Sequence, residues 1–194
     1  MMKRIFVSFF ALLFSLMVFA QGEHFTFKGI PIDGTLSSFM EQLQKQGFAW
    51  KAKDDNGAVF TGKFAGVNDC CIVVHCSEGV VTAVSVMFPV AETWSELYGR
   101  FSSLKEMLTK KYGYPAVSKE VFQSYTPSND EMKLFAVEQD NTDFLYVFEP
   151  KNGSIELSLS HRKVEYYEEK AFVLLKYFDK INYSKKESSA YDDL

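Results

Sequence analysis

The chain has 194 residues, 47% of them apolar and 16% aromatic, and 21 basic side chains stand against 25 acidic ones for a formal charge of -4. That length fits one domain, or two small repeats sharing a core. The mild acidity, with basic pairs such as Lys110-Lys111 and Lys185-Lys186 scattered along the chain, argues against nucleic acid and anionic lipid as partners, since both reward clustered Lys and Arg.

Residues 1–20, MMKRIFVSFFALLFSLMVFA, open with Lys3-Arg4, run apolar from Ile5 to Phe19 and end on a small residue before polar Gln21. This is the pattern of a secretory signal peptide with cleavage near Ala20. The run is short of the ~20 residues of a membrane span, and no comparable one follows. The mature chain, with 19 basic and 25 acidic residues, is expected to be secreted or periplasmic and without a membrane span.

A short strand around Phe25 to Lys28 is followed by turn punctuation at Gly29, Pro31 and Asp33-Gly34. Thr35 then caps a helix in which Leu36, Phe39, Met40 and Leu43 form one apolar stripe, stopped by Gly47. From Phe48 to Phe88 four antiparallel strands are expected: FAWKAKD, AVFTGKF after an Asp55-Asn56-Gly57 turn, the cysteine-bearing run DCCIVVHCS, and VVTAVSVMF after Glu78-Gly79.

The run DCCIVVHCS, Asp69 to Ser77, holds all three cysteines and one of three histidines. With side chains alternating between faces, Cys70, Ile72, Val74 and Cys76 share one face, and Cys71, Val73 and His75 the other. Cys70 and Cys76 lie ~20 Å apart along an extended strand, beyond the ~7 Å that a disulfide spans between α-carbons. The spacing matches no metal-ligand signature. Buried thiols serving as small hydrophobes fit best, with an intermolecular pairing or a strained Cys70-Cys71 bridge as the alternatives.

A longer helix begins at a Thr93/Glu96 capping box and carries Trp94, Leu97, Phe101, Leu104 and Leu108 along one face. Gly113 and Pro115 end it. Strands are expected again at VSKEVFQSY, MKLFAVEQ, DFLYVFE and SIELSLSHRKV. The segment YYEEKAFVLLKYFDKINY fits either a helix through Tyr167, Ala171, Leu174, Leu175 and Phe178 or a buried final strand, and strand is the expectation adopted. Residues 184–194 read as a polar tail.

The expected fold is therefore α+β, with residues 21–183 forming one domain of two helix-plus-antiparallel-hairpin repeats, about 24–90 and about 91–183, whose helices pack on one face of a joint antiparallel sheet. In this element order, and in the corner Gly113-Tyr114-Pro115, the chain resembles the beta-lactamase-inhibitor-like tandem repeat, shared by that inhibitor and by small envelope lipoproteins supporting outer-membrane assembly. The chain lacks the lipoproteins' acylated cysteine, and no inhibitory loop matches residue by residue. The resemblance implies a non-enzymatic domain that binds through an open sheet face.

Motifs of hydrolases, zinc proteases and nucleotide-binding loops are absent. The one literal Ser-x-x-Lys match, Ser102 to Lys105, lies mid-helix without companion motifs. No metal and no cofactor is expected. A diffuse site pairing His24, His75 or His161 with a carboxylate would be needed for a hydrolase, and an enclosed cavity between helices and sheet for a carrier of small apolar ligands. The reading adopted is a protein-binding module. Phe144 to Phe148 is apolar on both strand faces, so Tyr146, extended by Trp50, Tyr166 and Tyr167, is the expected partner surface, with a doubly covered central strand as the alternative.

Overall fold

A computed structural model describes residues 23–123, 125–165 and 168–183. The expected leader, the polar tail, Tyr166 and Tyr167 lie outside the described residues. A small hairpin, β1 (Thr26–Phe27) and β2 (Ile30–Pro31), precedes helix α1 (Leu36–Lys45). Then come β3 (Ala49–Asp54), β4 (Gly57–Phe64), β5 (Val67–Ser77) and β6 (Val80–Met87), followed by α2 (Trp94–Tyr112). The remaining elements are β7 (Val117–Phe122), α3 (Asp130–Glu138), β8 (Thr142–Phe148), β9 (Gly153–Glu165) and β10 (Glu168–Asp179).

β3 to β10 form one antiparallel sheet of eight strands in the order β3-β4-β5-β6-β10-β9-β8-β7. Each half is a meander, and the two last strands, β6 and β10, meet at the centre. Tight turns set the local register. Ala65-Gly66 and Glu78-Gly79 each place two successive residues at positive φ, the conformation whose twist suits a two-residue hairpin.

Capping follows the sequence closely. Thr35 Oγ1 accepts from the Ser38 amide, and Thr93 Oγ1 from the Glu96 amide. The Glu96 carboxylate accepts from the Glu92 amide rather than closing back on Thr93. Trp94, Leu97, Phe101, Leu104 and Leu108 are all buried, so the stripe of α2 is a packing face. The aromatic excess is spent the same way: Phe27, Phe64 and Tyr177 pack together under the first half, and Trp94, Phe101, Phe122 and Phe144 under the second. Aromatic rings at edge-to-face geometry add specificity beyond their buried area.

One expected strand is a helix. MKLFAVEQ lies in α3, because Asn129 takes extended backbone and its side chain accepts from the Met132 amide, while Asp130 and Glu131 favour the positive end of the first turn. Its apolar residues alternate only approximately, and Ala136 and Val137, adjacent in sequence, are the two that bury. The ambiguous segment is a strand where it is described: β10 runs from Glu168 to Asp179 and one helical turn follows over 180–183. α1, α2, α3 and the β1-β2 hairpin all contribute to a core on the same side of the sheet.

Candidate functional site

The strand registers divide the sheet into two faces. Phe60, Ile72, Val86, Leu175, Leu157 and Tyr146 lie in one cross-strand row under the helices. The neighbouring row, on the opposite face, runs across all eight strands as Ala49, Thr61, Cys71, Met87, Leu174, Ser158, Leu145 and Lys119. The next row on that face places Val59, Val73, Ser85, Lys176, Glu156, Val147 and Val117 side by side. Among the described residues none of the apolar side chains in these rows belongs to the core under α1, α2 and α3, and the closing turn at 180–183 reaches this face at one end through Tyr183. Met87, Leu174, Leu145 and Val147 are half-buried. The face is apolar at intervals and wetted by serines between.

At one end of this face His75, Ser85, Lys176, Phe178 and Tyr183 line a pocket of about 240 Å³. His75 reaches it from β5, Ser85 from β6, Lys176 and Phe178 from β10, and Tyr183 from the closing helical turn. His75 Nε2 and Ser85 Oγ are 2.8 Å apart, and Ser85 is itself buried. Loss of solvation, then the nearby Lys176 ammonium, hold the His75 pKa below its ordinary value, so the imidazole is neutral at pH 7. A neutral imidazole bonded to a hydroxyl is one component of nucleophilic catalysis, but that chemistry also needs a third group to orient the base. Among the described residues the His75 ring is hydrogen-bonded to Ser85 alone.

The residues expected to bind a partner do not form one surface. Trp50 is 51% exposed on the edge strand β3, paired with Phe60. Tyr146 faces the helices, where its hydroxyl donates to Glu120 at 2.8 Å and Lys105 lies 5.0 Å from its ring. β3 and β8 are six strands apart, roughly 29 Å at the usual strand spacing. The run Phe144 to Phe148 thus has one face under the helices and the other, through Leu145 and Val147, on the open side.

Tyr146 belongs to a network that sequence reading missed. Glu120 accepts from Lys105 at 2.9 Å and from Tyr98 at 3.0 Å as well. Desolvation works against the carboxylate, yet the donors Lys105, Tyr146 and Tyr98 hold its pKa below the ordinary value. Lys105 is likewise partly desolvated, but Glu120 raises its pKa and keeps it cationic. A protonated lysine cannot deprotonate a serine, so the Ser102-to-Lys105 match supplies no general base.

The other histidines are tied to carboxylates. His24 Nδ1 is 3.0 Å from Asp179 and its Nε2 is 3.3 Å from Asp33. Asp179 is fully buried and also accepts from the backbone amides of Phe25 and Asn182. Asn182 donates its side-chain amide to the Ile32 and Val81 carbonyls and to Asp33, so this side chain is built into the core. His161 lies 3.2 Å from Glu169 and 3.8 Å from Asp140 near the surface. No group of three or more His, Cys, Asp and Glu side chains suited to a metal ion occurs among the described residues.

All three cysteines are free thiols. Cys70, Ile72 and Val74 face the core, and Cys71, Val73 and His75 the open side, as alternation requires; a register shift between His75 and Cys76 leaves Cys76 half-buried. Burial raises the Cys70 thiol pKa, and its sulfur lies 3.5 Å from the Val67 carbonyl. A bulky maleimide added briefly to folded protein should label Cys71 and Cys76 well before Cys70, read by peptide mass spectrometry. Equal labelling of the three would mean that the inner face of β5 is open.

Comparison with protein-family models, curated proteins and solved structures finds no match to this chain.

Proposed function

We propose that this chain is a secreted or periplasmic protein-binding module whose partner lies across the open face of the sheet. The observation that carries this reading is the row Cys71, Met87, Leu174 and Leu145, interrupted by Ser158, whose apolar side chains lie on the sheet face outside the core under α1, α2 and α3. Antiparallel sheets with one free face usually alternate to polar residues there, and apolar ones in their place mark an interaction surface. The partner is a protein with a broad, mostly apolar surface. A small ligand would leave most of the row uncovered.

The strand order supports the tandem-repeat part of the reading. α1 precedes β3–β6 and α2 precedes β7–β10, each half is a meander, and the halves join through their last strands. α3 is then an insertion between β7 and β8, where the first half has only the two residues 55–56 between β3 and β4. This arrangement is consistent with the beta-lactamase-inhibitor-like resemblance, which implies binding through such a face.

Immobilised residues 21–194, exposed to envelope and secreted extract of the source organism, test the reading. Wild-type chain and a Phe135→Ser control on the outer surface of α3 should retain the same stoichiometric partner, while Leu174→Arg and Leu145→Arg, each checked for folding by circular dichroism, should lose it. Retention by the arginine variants, or no partner with wild-type chain, would overturn the reading.

A further inference from the structure

The pocket at the end of the open face has a chemistry that the apolar rows do not explain. Its ammonium, Lys176, stands between Ser85 and Glu156 in register, yet among the described residues no carboxylate comes within ion-pairing distance of it. What sets Lys176 apart is its position: it is half-buried and lines the pocket. Beside Lys176 the pocket offers the Ser85 hydroxyl, held by His75, and two rings, Phe178 and Tyr183, with centroids 6.4 Å apart and planes at 80°.

A half-buried cation, a hydroxyl donor and an edge-to-face aromatic wall are complementary to an anion carried on an apolar or aromatic body. The anion would pair with the ammonium and accept from the hydroxyl, bonds that are stronger than neutral ones. The body would pack on the rings. A volume of about 240 Å³ lies below the roughly 300 Å³ at which pockets for drug-sized ligands begin. The occupant is therefore about one ring or one side chain in size.

We infer that Lys176, Ser85 and His75, with Phe178 and Tyr183, form a binding site for a carboxylate attached to a small aromatic or apolar group. This carboxylate has two sources, a free organic acid or the C-terminus of a peptide ending in an aromatic residue. In either case Lys176 pairs with the charge and Ser85 donates to it. His75 holds Ser85 in place by donating its Nε2–H to the Ser85 Oγ, which leaves the hydroxyl proton for the carboxylate, and is a positioning residue.

The probes are benzoate, its neutral analogue benzamide, and N-acetyl-Gly-Phe with a free or an amidated C-terminus, added to isotope-labelled residues 21–194 and followed by NMR. Benzoate or the free-acid peptide should shift the His75 and Lys176 side-chain signals saturably, with a dissociation constant in the millimolar range. Benzamide and the amidated peptide should bind at least about tenfold more weakly, the ratio expected when one charge-assisted contact of ~1.4 kcal/mol or more is lost. Lys176→Met, checked for an unchanged amide spectrum, should lose the preference for the charged probe. Tighter binding of the peptide than of benzoate identifies a chain terminus as the source, and the reverse a free acid.

Absence of saturation with every probe would overturn the site, and so would equal binding of charged and neutral probes. Retention of the charge preference in Lys176→Met would do the same. These outcomes are separate from those of the partner experiment. Leu145→Arg disrupts the apolar row on β8, two strands from the Lys176 of β10, so partner capture and benzoate binding can fail independently.

Discussion

Replacing Asp179 with alanine should destabilise the folded chain by about 3–5 kcal/mol, the usual consequence of removing one partner from a buried charged network. Three donors converge on this carboxylate: the Phe25 amide at 2.7 Å, the Asn182 amide at 2.8 Å and His24 Nδ1 at 3.0 Å. The two amides cannot turn to water without moving backbone, since Asp179 is fully buried at the end of a central strand. The loss is a large part of the roughly 5–15 kcal/mol that holds a domain together. For a chain of this size it corresponds to a fall in Tm of roughly 10 °C. Asp179→Asn retains the shape but only one acceptor oxygen, so its effect should have the same sign and be smaller. Thermal unfolding followed by circular dichroism measures both. A loss under about 1 kcal/mol for the alanine variant, the scale of one ordinary hydrogen bond, would show that the segment from His24 to Asp33 does not depend on this carboxylate.

Asp179 also marks the limit of what the sequence discloses. Local signals were readable: the caps at Thr35 and Thr93, the stripe of α2, and the alternation that sends Cys70 inward and Cys71 outward. They are readable because helix caps and strand parity depend on residues within a few positions of one another. MKLFAVEQ misled because eight residues with loosely alternating apolar positions satisfy two periods, and only the cap at Asn129 separates them. The clasp around Asp179 joins residues about 155 positions apart, and the Lys105-Glu120-Tyr146 network spans 41. No local pattern encodes such pairs. The open-face rows fall in the same class. Met87 and Leu174 read as core residues individually, and only the β6-β10 pairing puts them together on the uncovered side. Tyr146 shows the converse: an apolar run on both strand faces reveals that one face is unusual, without saying which.

Glycine supplies the second large effect, and two positions should respond with opposite sign. Gly57 opens β4 opposite His75, and a β-carbon there would lie 2.1 Å from the Val74 carbonyl oxygen and 3.2 Å from its carbon. Both atoms are backbone within the β4-β5 ladder, so no side-chain rotation relieves the overlap. Gly57→Ala must push the β3-β4 hairpin away from β5. It should cost about 3 kcal/mol, the upper part of the range for overpacked sites. Amide exchange should quicken first in β3, the edge strand, and in β4, which joins it to the rest of the sheet through β5. Gly99 is the comparison: it lies within α2, and a β-carbon added there would meet nothing within 4 Å. Gly99→Ala should stabilise the chain by about 0.5–1 kcal/mol through helix propensity. Urea unfolding of both variants against wild type decides the matter. A Gly57→Ala chain as stable as wild type would mean that β4 can slide along β5, and the register joining Gly57 to His75 would then be wrong.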